Sequence, residues 1–144
     1  MDRIEIRFPS RFEYVKMAAK ILSKVSEMVG LGEEESIELV SSVVEALNNS
    51  IEHGYNLRED GIIELKVEDH GNKLLVSIKD EGQGFDREDL SPYCPDRAEH
   101  LFRYRGRGVF MMENFMDEVS FKNCPERGME VIMVKYLDRK GQDT

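Results

Sequence analysis

Glu45, Asn49 and His53 follow one another at four-residue steps within SVVEALNNSIEHGY, residues 42–55. On a helix this spacing lines a carboxylate, an amide and an imidazole along one side, about a turn apart. The carboxylate could take a proton from an attacking hydroxyl, and the amide oxygen could join the ligands of a hard cation. Taken alone, the three are ordinarily a solvated polar face. Asp80 adds a second signal. It ends the row Leu74, Val76, Ile78, which by strand parity faces a core, and an acid in that place is unusual. The segment EGQGFD follows at once, where Gly82 and Gly84 suit a backbone that turns sharply or admits a close approach. Gly106 and Gly108, in RYRGRG, precede a helical stripe of Val109, Met112 and Phe115 or Met116. Unpaired N–H groups at that helix start are a ready anion site. Together these three elements describe a nucleotide pocket.

The elements that must position them can be read in order. Ile4, Ile6 and Phe8 alternate with Arg3, Glu5 and Arg7, the period of a half-buried strand closed by Pro9. Ser10 can cap the next helix, whose stripe of Phe12, Val15, Ala19, Leu22, Val25 and Val29 stops at Gly30. Glu33, Glu34 and Glu35 put three acids in the first turn of a second helix, where the macrodipole favours them. That helix runs about twenty residues through a core stripe of Val40, Val44, Leu47 and Ile51, and ends at Gly54. Ile63, Leu65 and Val67 mark a strand, HGN a tight turn, and Leu74 to Asp80 its partner. Residues 86–105, interrupted by Pro92 and Pro95, are too long for a plain connection and form a candidate lid. After the glycine-led helix, Val119 and Phe121 face inward in one strand and MEVIMVKYL forms the last, separated by a turn at NCPERG. RKGQDT is a frayed tail. The order predicts one α+β domain over residues 1–144, a two-layer sandwich with a mixed, largely antiparallel sheet and helices on one face.

Composition narrows the partners. The chain has 144 residues, 40% of them hydrophobic, enough for one substantial core. A net charge of −9, with 29 acidic against 20 basic residues, argues against a nucleic-acid surface. Cys94 and Cys124 have no metal-ligand spacing and read as reduced thiols of a cytoplasmic protein. MDRIEIRFPS has no apolar signal region, and no run approaches the ~18 residues of a membrane span. No P-loop, Rossmann or protein-kinase motif set is present.

The quoted segments resemble a known superfamily. E-A-L-N-N-S-I-E-H-G is similar to the N-box, D-E-G-Q-G to the first glycine box, and R-G-R-G-V-F-M-M to the second glycine box of the gyrase, chaperone, histidine-kinase and MutL ATPases. Their order and spacing agree over nearly the whole chain. The short length and the run GVFMMENFMDEV further resemble the anti-sigma factor serine kinases of the SpoIIAB and RsbW type. The resemblance implies a Bergerat fold with an ATP lid, and ATP and Mg2+ as cofactors. It makes Asp80 the acceptor for the purine amino group, with adenine packing beside Gly84 in the Gly82–Gly84 turn. It makes Asn49 the magnesium ligand and Glu45 the general base. Gly106 and Gly108, with Arg105, Arg107 and Val109 around them, fall at the phosphates. Arg105 stands where one form of the family has a serine or threonine. Arg103, Arg105 and Arg107 could hold the γ-phosphate, meet an acidic partner surface, or remain solvated. His53 reads as a hydrogen-bonding neighbour rather than a catalytic group, and Met111, Met112 and Met116 as core.

The implied function is phosphorylation of an anti-sigma factor antagonist on serine, with a sigma factor as alternative partner and a homodimer as the assembly. Two rival classes remain. One is the ATPase part of a histidine kinase, which calls for a helical hairpin with a phosphoacceptor histidine ahead of the first strand, and none is present here. The other is a binding module whose nucleotide only orders the lid.

Overall fold

The computed structural model describes residues 2–55, 57–81, 107–123 and 128–138. Strand β1 (Asp2–Pro9) leads to helices α1 (Phe12–Met28) and α2 (Glu33–Asn49), and a π-helical turn, Ser50–Gly54, continues α2. Strands β2 (Ile62–Asp69) and β3 (Lys73–Asp80) follow, then helix α3 (Arg107–Phe115) and strands β4 (Glu118–Asn123) and β5 (Met129–Tyr136). The sheet order is β1-β2-β3-β5-β4, and every ladder is antiparallel. The expected largely antiparallel sheet is therefore antiparallel throughout these residues. The proposed lid at 86–105, both cysteines and the tail RKGQDT lie outside the described residues.

One sheet face supplies half the core. Registers Phe8↔Ile63, Leu65↔Ile78, Val76↔Met133 and Phe121↔Val131 put the inward residues of all five strands side by side. The helices pack onto this face through Val15, Ala18, Leu22 and Val25 of α1, Leu39, Val43, Ala46 and Leu47 of α2, and Val109 and Met112 of α3. Burying a side chain such as Leu47 or Ile78 contributes about 1.5–3 kcal/mol, so the apolar parity of the strands is the main source of stability.

Several sequence expectations shift in detail. On α1 the buried row runs through Ala18 rather than Ala19, and Phe12 is exposed. On α2 the buried row is Leu39, Val43, Ala46 and Leu47, while Val40 and Val44 sit at its margin. A stripe read from residue types alone can be off by a position when the helix is covered on two sides, as α2 is by α1 and α3. Ser10 does not cap α1. Arg11 holds the N-cap position, and the buried Ser10 hydroxyl instead donates to the Arg58 carbonyl at 2.5 Å. Gly30 does end α1. With φ of 83° it donates to Glu27 O, while Leu31 N–H reaches Ser26 O at 2.9 Å, the paired closure of a Schellman motif. Past α3 the stripe resolves on Met116, which is buried, whereas Phe115 is only partly so.

Lys135 lies on the inward row of β5, opposite Leu74, and is buried. Its Nζ donates to the Phe115 carbonyl at 2.8 Å and sits 3.9 Å from Glu38 Oε1. The ammonium thus satisfies an orphan carbonyl at the end of α3 and favours the negative end of that helix. Lys135→Met keeps the stem and removes the donor, and should lower unfolding free energy by about 1–3 kcal/mol. Denaturant titration checks this: a midpoint unchanged from wild type would show that the bond is not needed to seat α3.

Candidate functional site

Asp80 is where strand parity puts it, at the end of the row Leu74, Val76, Ile78, and it is only 3% exposed. Two close approaches hold the backbone around it. Gly128 has φ of 84°, and a Cβ there would fall 2.8 Å from the Asp80 carbonyl carbon and from Glu81 Cα. Only glycine lets the start of β5 lie this near. On the other side is Tyr55, whose hydroxyl donates to the Ile62 carbonyl at 2.5 Å and accepts the Glu81 N–H at 2.8 Å. Burial pushes the Tyr55 hydroxyl above its ordinary range, partly offset by the Glu81 amide, and the Asp80 charge adds to the rise. The group therefore stays protonated, and a donor, at neutral pH.

Glu45 and Asn49 share one side of α2, a four-residue step of roughly 6 Å apart along the axis. Asn49 is buried and Glu45 half-buried. Burial, and then the Glu52 carboxylate, raises the Glu45 carboxyl above the usual range of its type. α2 ends at Asn49, not at Gly54. The chain continues as a wider turn in which Tyr55 N–H bonds to Ser50 O at 2.9 Å, so the regular four-residue step stops at Asn49 before it reaches His53. Single π turns inside helices recur at functional sites. Here the turn also packs on β3, the strand that carries Asp80.

The start of α3 closes against Glu45. A Cβ on Gly108 would come within 2.6 Å of Glu45 Cγ and would collide with the carboxylate itself. A side chain at the second glycine of this pair would thus make Glu45 or the helix start shift, a contact that the sequence did not disclose. Val109 is fully buried in the core, which leaves its backbone amide as the group it can offer at the helix start. Gly82, Gly84, Arg103, Arg105 and Gly106 lie outside the described residues, as do the side chains of His53 and Arg107. The described residues bring the amide-and-carboxylate helix together with the glycine-led helix, and tie the acidic strand end to the turn that follows α2.

Among the described residues no three His, Cys, Asp or Glu side chains could hold a metal between them. A divalent cation beside Asn49 would draw most of its ligands from phosphate oxygens and water, which is the coordination magnesium favours. The buried amide of Asn49 fits such a role as a single neutral oxygen donor.

Residues 8–135 match the histidine kinase-like ATPase domain family. The serine-protein kinase RsbW of Listeria innocua is 32% identical over 143 residues, covering 96% of this chain and 90% of that protein. The enzyme of the same name from Bacillus subtilis is 33% identical over 146 residues, covering 99% and 90%. Among solved structures, the RsbU and RsbW domains of a Mycobacterium tuberculosis protein superpose with a TM-score of 0.65 at 16% identity, over 95% of this chain and 33% of that one. The chain thus spans about a third of that solved two-domain chain. A chain of the Pseudomonas aeruginosa SiaB–SiaC complex superposes with a TM-score of 0.60 at 15% identity, over 93% and 89%. At these identities the structural likenesses show a shared fold.

The packing of Glu45 on Gly108 can be tested without any assay of activity. Gly108→Ala should cost about 1–3 kcal/mol of stability through the forced displacement, and adding Glu45→Ala should return most of it. Coupling of at least ~0.5 kcal/mol in this double-mutant cycle is the expected result; strictly additive losses would mean the two residues do not share the contact.

Proposed function

Because the chain belongs to the histidine kinase-like ATPase domain family and is over 30% identical to RsbW serine-protein kinases along nearly its whole length, we propose that it is an ATP-dependent protein serine kinase and anti-sigma factor. Its phosphoacceptor is a serine on a small antagonist protein, and its alternative partner is a sigma factor. A homodimer in the cytoplasm is the assembly in which it acts. The observation that carries the reading within the molecule is the half-buried Glu45 carboxylate, held on one side of α2 with the buried Asn49 and against the start of α3.

In the proposed reaction the serine Oγ attacks the γ-phosphorus of ATP, the bond to the β–γ bridging oxygen breaks, and ADP leaves. Glu45 takes the hydroxyl proton as the new O–P bond forms. Asn49, together with the phosphates, would hold magnesium, which would supply charge neutralisation when bound. By the family resemblance, the backbone N–H groups of the second glycine box, Gly106 and Gly108, with Arg105, Arg107 and Val109, would contact the phosphates. By the same resemblance, Asp80 would accept a hydrogen bond from the purine amino group, beside the ring positions of Gly82 and Gly84. No nucleic acid or membrane enters the reaction, and no described helix is long and apolar enough to cross a bilayer.

Incubation with γ-labelled ATP, magnesium and an antagonist carrying a single phosphorylatable serine tests this. Label should pass to the serine, and Glu45→Gln should lower kcat by roughly 10²- to 10⁴-fold while nucleotide affinity changes little. Nucleotide binding with no transfer by the wild type would favour the plain binding module instead.

The pH dependence has a definite sign. Glu45 must be ionised to accept the proton, and its carboxyl is raised by burial and by Glu52. The acid limb of kcat should therefore lie above that of an unperturbed glutamate. Glu52→Gln removes the like charge and should move the limb to lower pH; a limb unmoved by this change would assign it to another group.

A further inference from the structure

Tyr55 belongs to no motif of the nucleotide site, yet its hydroxyl is the link between three segments that meet at the end of β3. It is buried, with 4% exposure, immediately after the π-helical turn that follows Asn49. Its oxygen donates to Ile62 O at the first residue of β2 and accepts from Glu81 N–H, the amide directly after Asp80. β2 and β3 pair through Ile63↔Asp80, so the hydroxyl bridges the two strands at the open end of their ladder. Among the described residues, the β2–β3 ladder has no further rung beyond that register pair.

The ring is fixed as firmly as the hydroxyl. A Cβ on Gly61 would lie 2.5 Å from ring atoms Cδ1 and Cε1, so the loop runs flat against one face of the tyrosine. That loop is itself tied down. Ser10 N–H reaches Gly61 O at 2.9 Å and Ser10 Oγ reaches Arg58 O, while Arg58 N–H returns to Tyr55 O at 2.9 Å. Leu57, with φ of 65°, gives its N–H to Ile51 O at 2.8 Å. A non-glycine residue in the left-handed region persists where its surroundings over-determine it. The tyrosine thus sits in a rigid seat and transmits that rigidity through one oxygen to the peptide between Asp80 and Glu81.

We propose that Tyr55 is a positioning residue for base recognition: by bonding Ile62 O and Glu81 N–H it fixes the backbone that aims the Asp80 carboxylate at the purine amino group. The inference rests on the nucleotide reading of Asp80 given above. A hydroxyl that merely filled a gap in the core would contribute stability and leave the choice of base alone. A hydroxyl that orients Asp80 contributes to discrimination between purines that carry the amino group and purines that lack it, since a misaligned acceptor loses the directional part of that bond.

The full-length protein can separate these roles through the affinities of ATP and of purine riboside 5′-triphosphate, the same nucleotide without the amino group. Wild type should prefer ATP, and Asp80→Asn should abolish most of that preference. Tyr55→Phe keeps the ring in its seat and removes only the hydroxyl; the ratio of the two affinities should fall roughly three- to tenfold. The ratio is taken on folded protein, so a general loss of stability leaves it unmoved. A Tyr55→Phe variant with the wild-type ratio overturns the positioning role while Asp80 stands. A wild type that does not distinguish the two nucleotides, or an Asp80→Asn variant that distinguishes them as well as wild type does, overturns the reading of Asp80 and the inference with it.

Discussion

A carboxylate at the end of an otherwise apolar row is the constraint on which the rest of this structure depends. Removing an ionised group from water costs several kcal/mol even after relaxation, and Asp80 occupies a position that the parity of β3 would give to another isoleucine or valine. Such a group is tolerated where the fold surrounds it with fixed polar geometry. The main chain at Asp80 is fixed from both sides: β2 and β5 pair on either side, Gly128 lets β5 come close, and the Tyr55 hydroxyl holds the next peptide. The proposed purine end of the site is therefore a property of the sheet, stabilised by the same apolar ladder that forms the core.

The second constraint is that α2 has almost no free side between Ser42 and Ile51. α1 and α3 both pack against it, and the sheet lies beneath. Its polar residues are in consequence not a solvated face, even though their types and spacing are those of one. Half-burial raises the Glu45 carboxyl, which is the direction that brings a carboxylate nearer to the proton affinity a base needs at neutral pH. The same crowding explains the glycine at 108. With an ordinary residue there, either the helix or the Glu45 side chain would have to move, and the surroundings of the carboxylate would change.

Much of this arrangement was legible in the sequence, because it follows from period. The alternation in β2 and β3 gave the inward face and put Asp80 on it, and the spacing of Glu45 and Asn49 gave their shared side of α2. What escaped is what depends on contacts between distant segments. Tyr55 read as the residue after a helix-ending glycine, Gly128 as part of a turn, and Ser10 as a cap. Each acts across the chain: Tyr55 on Glu81, Gly128 on Asp80, Ser10 on Arg58. Lys135 was hidden differently. Its inward parity could be counted, but nothing local shows that the end of α3 would bring a carbonyl to meet its ammonium. The π turn was hidden because SIEHG keeps helix-compatible residues while its hydrogen bonds widen.

The two ends of the site are held by different kinds of force, and this divides what each can do. Around Asp80 the main chain is held by strand ladders and by the directional hydrogen bonds of the Tyr55 hydroxyl, which resist small displacements of the strand end. At Glu45 the partner is close packing of α3 on a single glycine, with Lys135 bonding the far end of that helix and Met112 and Met116 filling the space beneath it. Methionine side chains accommodate small shifts of their neighbours at little cost. A change that tilts α3 can thus alter the surroundings of the carboxylate, and with them its proton affinity, while the strand end at Asp80 keeps its geometry. In the proposed site, the fold separates recognition of the base at Asp80 from the chemistry at the phosphate by Glu45, and leaves the second open to adjustment through one helix.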